Sequence, residues 1–305
     1  MRRGDFATAW SISDGVLAQR RMRAEDCSGW PRHLQFIWNG SPVDDARVLV
    51  RCYHGLGDTL QYVRLLEPLH QRARKITLWA QPPLLGLLRH VRGIDTLLPL
   101  HDGDPGFDCD VDIELMEVAH LLRITLDDLP GRVPYVDIPA SAKASADAEP
   151  LRVGIAWRSG EWDCRRSIPS EALQPLASVA GVRFFSLQFP PAPLPFPACD
   201  FACRDLERMA ARMRALDLVI SVDTMCAHLA GALGAATWLL LHERADWRWL
   251  EARADSPWYP TMRLFRRRTD WRALLSEVAD ALGEARDAAT AARCMRSDGC
   301  RASSD

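Results

Sequence analysis

Apolar positions along this chain fall into short runs of about five residues, separated by stretches in which apolar residues return at helical spacing. Val48-Leu-Val-Arg-Cys-Tyr53 is the first such run; it ends in a glycine-containing turn, and Thr59 to Leu69 follows with helical periodicity. Lys75 to Ala80 predicts a second strand, Leu84 to His90 a helix after Pro82-Pro83, and Thr96 to Leu100 a third strand. Beyond a small, polar stretch from Pro139 to Pro150 the rhythm restarts. Strands are predicted at Arg152–Trp157, Val182–Leu187, Leu218–Val222 and Ala236–Leu241, and helices at Glu171–Val179, Leu206–Leu216, His228–Leu233 and Trp271–Leu282. Alternating strands and helices make an α/β fold with parallel sheets covered on both faces.

The pattern divides the chain into four regions. Residues 1–43 form a helical N-terminal segment, with one or two short helices between 5 and 24. Residues 44–140 form a first Rossmann-like domain and 151–283 a second, joined by the 139–150 linker, and the Ala/Arg/Ser-rich tail 284–305 is expected to be disordered. A length of 305 residues with 48% hydrophobic and 26% charged content suits two globular domains. Ligands in such folds bind beyond the carboxyl ends of the strands, so two domains of this kind imply a central cleft.

Charge narrows the partners. A formal net charge of -2 lacks the clustered positive surface of a nucleic-acid binder. The nine cysteines are scattered and without metal-type spacing, which fits reduced thiols in the cytoplasm and no structural metal. No apolar run reaches the ~20 residues needed to span a bilayer, although peripheral membrane contact stays open.

Three loops at predicted strand ends carry candidate chemistry. In His54-Gly55-Leu56-Gly57-Asp58 the glycines let backbone amides approach a ligand at a helix N-terminus, while the plain alternative is a strand-to-helix turn with Asp58 as the cap. GxGxxG is absent, which disfavours a nicotinamide enzyme. Trp157-Arg158-Ser159-Gly160 through Arg166-Ser167-Ile168-Pro169 brings guanidinium groups to the end of the next domain's first strand; such groups suit phosphate, or form a solvated face. Asp223-Thr224-Met225-Cys226-Ala227-His228 opens a helix after a buried strand, with amides and a hydroxyl suited to phosphate, and His228 as an alternative core residue.

The strings Ile37–Pro42, Gly55–Arg64, Val182–Gln188, Asp217–Gly234, Asp246–Leu250 and Ser256–Phe265 occur in an order that resembles the catalytic part of bacterial tetratricopeptide-repeat glycosyltransferases. These are similar in turn to the ADP-heptose:lipopolysaccharide heptosyltransferases of glycosyltransferase family 9. The resemblance implies a GT-B fold, two Rossmann-like domains facing a cleft, and transfer from a nucleotide sugar to a hydroxyl acceptor with no metal or other cofactor. It implies Asp58 as general base, with Gly55 and Gly57 lining the acceptor side; His54, at a position where the relatives often differ, is a further catalytic candidate that would orient Asp58 or bind acceptor. Trp157, Arg158, Arg166, Ser186, Gln188, Asp223, Thr224, Met225 and His228 would form the donor side, with Ser186 and Gln188 near base or ribose. Arg166 stands where the relatives carry a phosphate-binding lysine. About one repeat's worth of helix precedes the fold, a remnant cap at most. The acceptor, a glycan, a lipid-linked sugar or a protein, is left open, as are an epimerase or hydrolase on the same fold and a binding module without catalysis.

Overall fold

The computed structural model describes residues 1–23, 26–27, 29–129, 133–139, 150–251 and 253–301, so the expected linker falls almost wholly outside the described residues. The chain divides into two compact units. The first takes Met1–Ile138 together with Ala232–Gly234 and Asp246–Pro260, and the second takes the remainder.

The first unit opens with a single helix, α1 (Phe6–Arg23), where one or two short helices were expected. Its Phe6 and Trp10 are buried, and the Trp10 indole donates to the Ile124 carbonyl at 2.8 Å. Then come β1 (Arg47–Arg51), α2 (Leu56–Tyr62), α3 (Leu66–His70), β2 (Lys75–Ala80), α4 (Leu85–Leu88), β3 (Thr96–Pro99), β4 (Val111–Glu114) and α5 (Glu117–Leu121). The helix expected over Thr59–Leu69 is interrupted by a 3-10 turn at Val63–Leu65. Pro68 offers no N–H to the turn before it and crowds the carbonyl four residues earlier, which breaks the regular ladder.

The second unit contains β5 (Leu151–Ala156), β6 (Val182–Ser186), β7 (Cys199–Asp200), α6 (Leu206–Met213), β8 (Leu218–Val222), α7 (Met225–Ala232), β9 (Thr237–Leu241), β10 (Met262–Arg266) and α8 (Trp271–Arg301). The helix expected at Glu171–Val179 winds instead as a 3-10 helix, Ser170–Ser178, around Pro175. Every position of β8 is buried, the pattern of a central parallel strand covered on both faces. Leu274, Leu275, Val278 and Leu282 place one face of α8 in a core with Ile155, Leu173, Ile220 and Leu240.

Two boundaries from the sequence need correction. The segment Asp246–Pro260 lies inside the range assigned to the second domain but packs with the first, because its tryptophans seek that core: Trp258 lies 5.4 Å from Tyr62 between ring centroids, and Trp247 lies 6.1 Å from Phe6. The tail expected to be disordered from 284 instead continues α8 to Arg301. Its alanines are strong helix formers, Ala289 packs against the core, and the Arg286 guanidinium donates to the Ala180 carbonyl at 2.9 Å.

Both sheets are parallel. The first runs in the order β3-β2-β1-β4 and the second β10-β9-β8-β5-β6-β7. In the first, the chain builds outward from β1 through β2 and β3 and then returns to set β4 on the other side, so the order reverses between β1 and β4. In the second it reverses between β5 and β8. Open α/β sheets form crevices at such reversals, outside the carboxyl ends of the two strands.

Candidate functional site

Each reversal is flanked by polar side chains. In the first unit, β1 ends at Arg51 and the chain turns through His54 and Gly55 into α2. Gly55 caps this helix in an extended conformation, φ -68°, and Gly57 lies inside the helix. The Asp58 carboxylate reaches back to accept from the Gly55 amide at 3.0 Å, a cap that favours helix initiation at this point.

The same carboxylate makes a contact that local sequence does not show. Arg248 Nη1 donates to Asp58 Oδ1 at 2.7 Å and to Gln61 Oε1 at 2.7 Å, and its Nε donates to Asp246 Oδ1 at 3.0 Å. Arg248 is 8% exposed, flanked by Trp247 and Trp249 on a short 3-10 turn. Leu250 then adopts φ 51°, a strained left-handed conformation for a branched side chain, as the chain leaves the turn. Trp249 and Trp258 are buried and serve the core.

Across the reversal, β4 ends in Glu114, which is 4% exposed. Its Oε2 accepts from the Met116 amide at 2.7 Å and lies 3.7 Å from His54 Nε2. Burial raises the Glu114 carboxyl to about 8 against the pull of its amide donors, with the neighbouring Glu117 and Asp58 charges adding to the rise. Burial likewise raises Glu117, which accepts from the Glu114 and Trp38 amides at 3.2 and 3.3 Å. The His54 imidazole is lowered by burial despite the Asp58 charge. Its carbonyl accepts from Gln81 Nε2 at 2.7 Å, and Gln81 is held in turn by the Thr59 hydroxyl at 3.0 Å.

In the second unit the loop after β5 meets the loop after β8. Arg166 Nη1 donates to the Asp223 carbonyl at 3.0 Å, while Arg166 Nε is buried with no hydrogen-bond partner. Thr224 precedes Met225, the first residue of α7, both are half-buried, and the Thr224 carbonyl accepts from the Ala227 amide at 3.0 Å. His228 is buried, with Nε2 3.7 Å from Asp223 Oδ1. The same loop reaches beyond β8, since Asp163 lies 3.8 Å from His242 at the end of β9, and Arg165 pairs with Asp163 at 2.8 Å and holds its carboxyl down to about 2.

Three expected donor residues are used internally. Trp157 is 1% exposed and belongs to the core of the second unit. The Gln188 side-chain oxygen accepts from the Trp157 and Arg158 amides at 3.2 and 2.8 Å, which clamps the β5 and β6 loop ends together. Ser186 Oγ accepts from the Gln188 amide at 3.4 Å in the same clamp, while the Arg158 side chain is exposed. The sequence reading left out Arg248, Glu114 and His242. The Asp246-Trp-Arg-Trp string and the acidic ends of Val111-Asp-Ile-Glu114 were the signals available for the first two.

Among the described residues, no group of three or more His, Cys, Asp or Glu side chains is placed to hold a metal ion, and no helix is long and apolar enough to cross a membrane. The sequence matches no protein-family model and no curated protein. Solved structures do resemble the fold. The family 9 glycosyltransferase of Veillonella parvula aligns at TM-score 0.52 and 12% identity, over 74% of this chain and 87% of that one. The E. coli heptosyltransferase WaaC with ADP-2-deoxy-2-fluoro heptose gives 0.50 and 13%, over 78% and 98%. E. coli ADP-heptose lps heptosyltransferase II gives 0.51 and 14%, over 78% and 99%. At these identities the likeness is one of fold: α/β with parallel sheets, consistent with a GT-B-like glycosyltransferase fold.

Proposed function

We propose that this chain is a glycosyltransferase that moves a sugar from a nucleotide-sugar donor to a hydroxyl acceptor without a metal ion. The observation that carries the reading is Arg166, whose buried Nε lacks a partner while its Nη1 is fixed on the Asp223 carbonyl, at the turn into α7. A guanidinium anchored on one side with a donor to spare, next to the amides that open a helix, suits a diphosphate. Those groups would hold the nucleotide and stabilise it as it leaves, with the Thr224 hydroxyl as a further donor. Asp58 would accept the proton of the attacking acceptor hydroxyl, a step for which a positioned base is worth roughly 10²–10⁴ in rate. A donor such as ADP-heptose, the nucleotide sugar named for E. coli heptosyltransferase II, is the first to test.

One observation favours a second reading. Asp58 is engaged by the Gly55 amide and by Arg248, as a structural cap and ion pair would be. A nucleotide-sugar-binding module without catalysis uses the residue in that way. Calorimetric titration with nucleoside diphosphates, followed by transfer assays of the wild type and Asp58→Asn across an acceptor panel, separates the two. Binding with turnover lost in Asp58→Asn supports the transferase. Binding with no turnover supports the module, and absence of binding by every nucleotide rejects both.

A further inference from the structure

Glu114 is a buried acid that the proposed reaction does not use, and its surroundings give it a specific task. It stands at the end of β4, beside the end of β1, with Arg51 and Glu114 in register across the two strands. Its carboxyl accepts from the Met116 amide on its own loop at 2.7 Å, and the Tyr53 amide on the neighbouring loop is a second backbone partner. It therefore ties the two loops that border the first sheet's reversal. The contact that points beyond structure is His54, whose Nε2 lies 3.7 Å away, on the residue that leads into the Asp58 turn.

We infer that Glu114 is a positioning residue, a buried carboxyl that ties down the loop carrying His54 and so keeps the imidazole beside Asp58. The inference rests on the transferase reading for its kinetic consequence, although the Glu114–His54 relation can be measured apart from it. Titratable groups face the pair from every side. Cys52 lies on the β1 end, Asp58 and Tyr62 on α2, Glu117 on α5, Arg248 on the Asp246–Pro260 segment, and His33 on the turn before β1. Beside Asp58 and Glu117, a charged Glu114 would add a third anion, so the neutral acid is the form that burial selects up to about pH 8. His54 then meets a neutral neighbour and is itself kept neutral by burial. A neutral imidazole offers one donor and one acceptor to an incoming hydroxyl, whereas an imidazolium offers donors alone.

NMR titration of the histidine imidazoles tests this in the intact chain, with the His54 signal identified by its loss in His54→Gln. The wild-type His54 signal is expected to show a second displacement centred near pH 8, as Glu114 ionises, and Glu114→Gln is expected to abolish it. A displacement that survives in Glu114→Gln overturns the inference, as does its absence from the wild type. In transfer assays the wild type is expected to lose kcat above pH 8, where an ionised Glu114 places an anion beside His54, and Glu114→Gln is expected to keep it, while Glu114→Ala should lower kcat on the order of tenfold with the donor KM unchanged. Coincident pH–rate profiles for Glu114→Gln and the wild type would also sink it. Absence of any turnover by the wild type would remove the transferase reading, and the titration alone would then decide on Glu114.

Discussion

Replacing Arg248 with methionine tests the contact that most changes the picture of Asp58. Methionine keeps much of the buried stem volume while removing the guanidinium, so the main loss is the set of bonds to Asp58, Gln61 and Asp246. Breaking a fully buried ion pair costs about 3–5 kcal/mol because the orphaned charge stays buried, whereas an exposed pair is worth about 0–1 kcal/mol. Here the Arg248 side chain is 10% exposed, but Asp58 and Asp246 are 24% and 38% exposed, so water reaches the carboxylates left behind. The expected cost is thus intermediate, about 2–3 kcal/mol, or a fall in melting temperature of about 5–10 °C for a unit of this size. Thermal melts of the wild type, Arg248→Met, Asp58→Asn and the double variant close a cycle whose coupling should be about 1–2 kcal/mol. Kinetics supply the second arm: if Arg248 acts by orienting Asp58, the double variant should transfer sugar no more slowly than Asp58→Asn alone. A coupling under about 0.5 kcal/mol, together with rate losses that multiply, would refute the reasoning and make Arg248 an independent contributor.

Further outcomes follow from the same contacts. Because Glu114 ordinarily titrates near 4.5 and is raised to about 8, the folded chain holds a proton that the unfolded chain has lost between those values. Its stabilising contribution is therefore full below pH 4.5 and lost as pH rises toward 8, and Glu114→Gln should remove that slope. The variant should match the wild type near pH 4 and exceed it at pH 7 by about 3 kcal/mol, at about 1.4 kcal/mol per pH unit, read from denaturant melts at both pH values. Arg166→Ala should weaken nucleoside diphosphate binding on the order of 10–100-fold by calorimetry, since a hydrogen bond to a charged group is worth about 1.5–3 kcal/mol, while Arg166→Lys recovers part of the loss. Gly93 sits at φ +84°, where an added Cβ would lie 2.6 Å from the Leu66 carbonyl. Gly93→Ala should therefore lower stability by at least about 2 kcal/mol, and an unchanged melting temperature would contradict that geometry.

What could be read from the sequence follows the range of the physics involved. The β8 run Leu218–Val222 and the α8 stripe announce themselves, because burial on both faces and helical periodicity are local signals. Loops after β1, β5 and β8 could be picked out as candidate loops for the same reason, since the carboxyl end of a parallel strand is defined by the strand itself. Strand β4 escaped because Val111-Asp-Ile-Glu114 is four residues long and ends in an acid. Only its pairing with β1, more than fifty residues earlier, makes that acid a buried group at the reversal. Arg248 and Asp58 are 190 positions apart, and nothing in either neighbourhood specifies the other. Their pairing arises because Trp249 and Trp258 are buried in the first unit's core, which carries Asp246–Pro260 back into that unit. The apolar anchors decide the path of the chain, and the ionic contact at Asp58 follows from it. Gln188 shows a demand that the resemblance does not reveal: it places the side chain near base or ribose, while the amides of Trp157 and Arg158 at the end of β5 need an acceptor, and Gln188 meets them. A polar side chain at the end of a parallel strand has two demands on it, the ligand's and the backbone's, and at Gln188 the backbone's is met first.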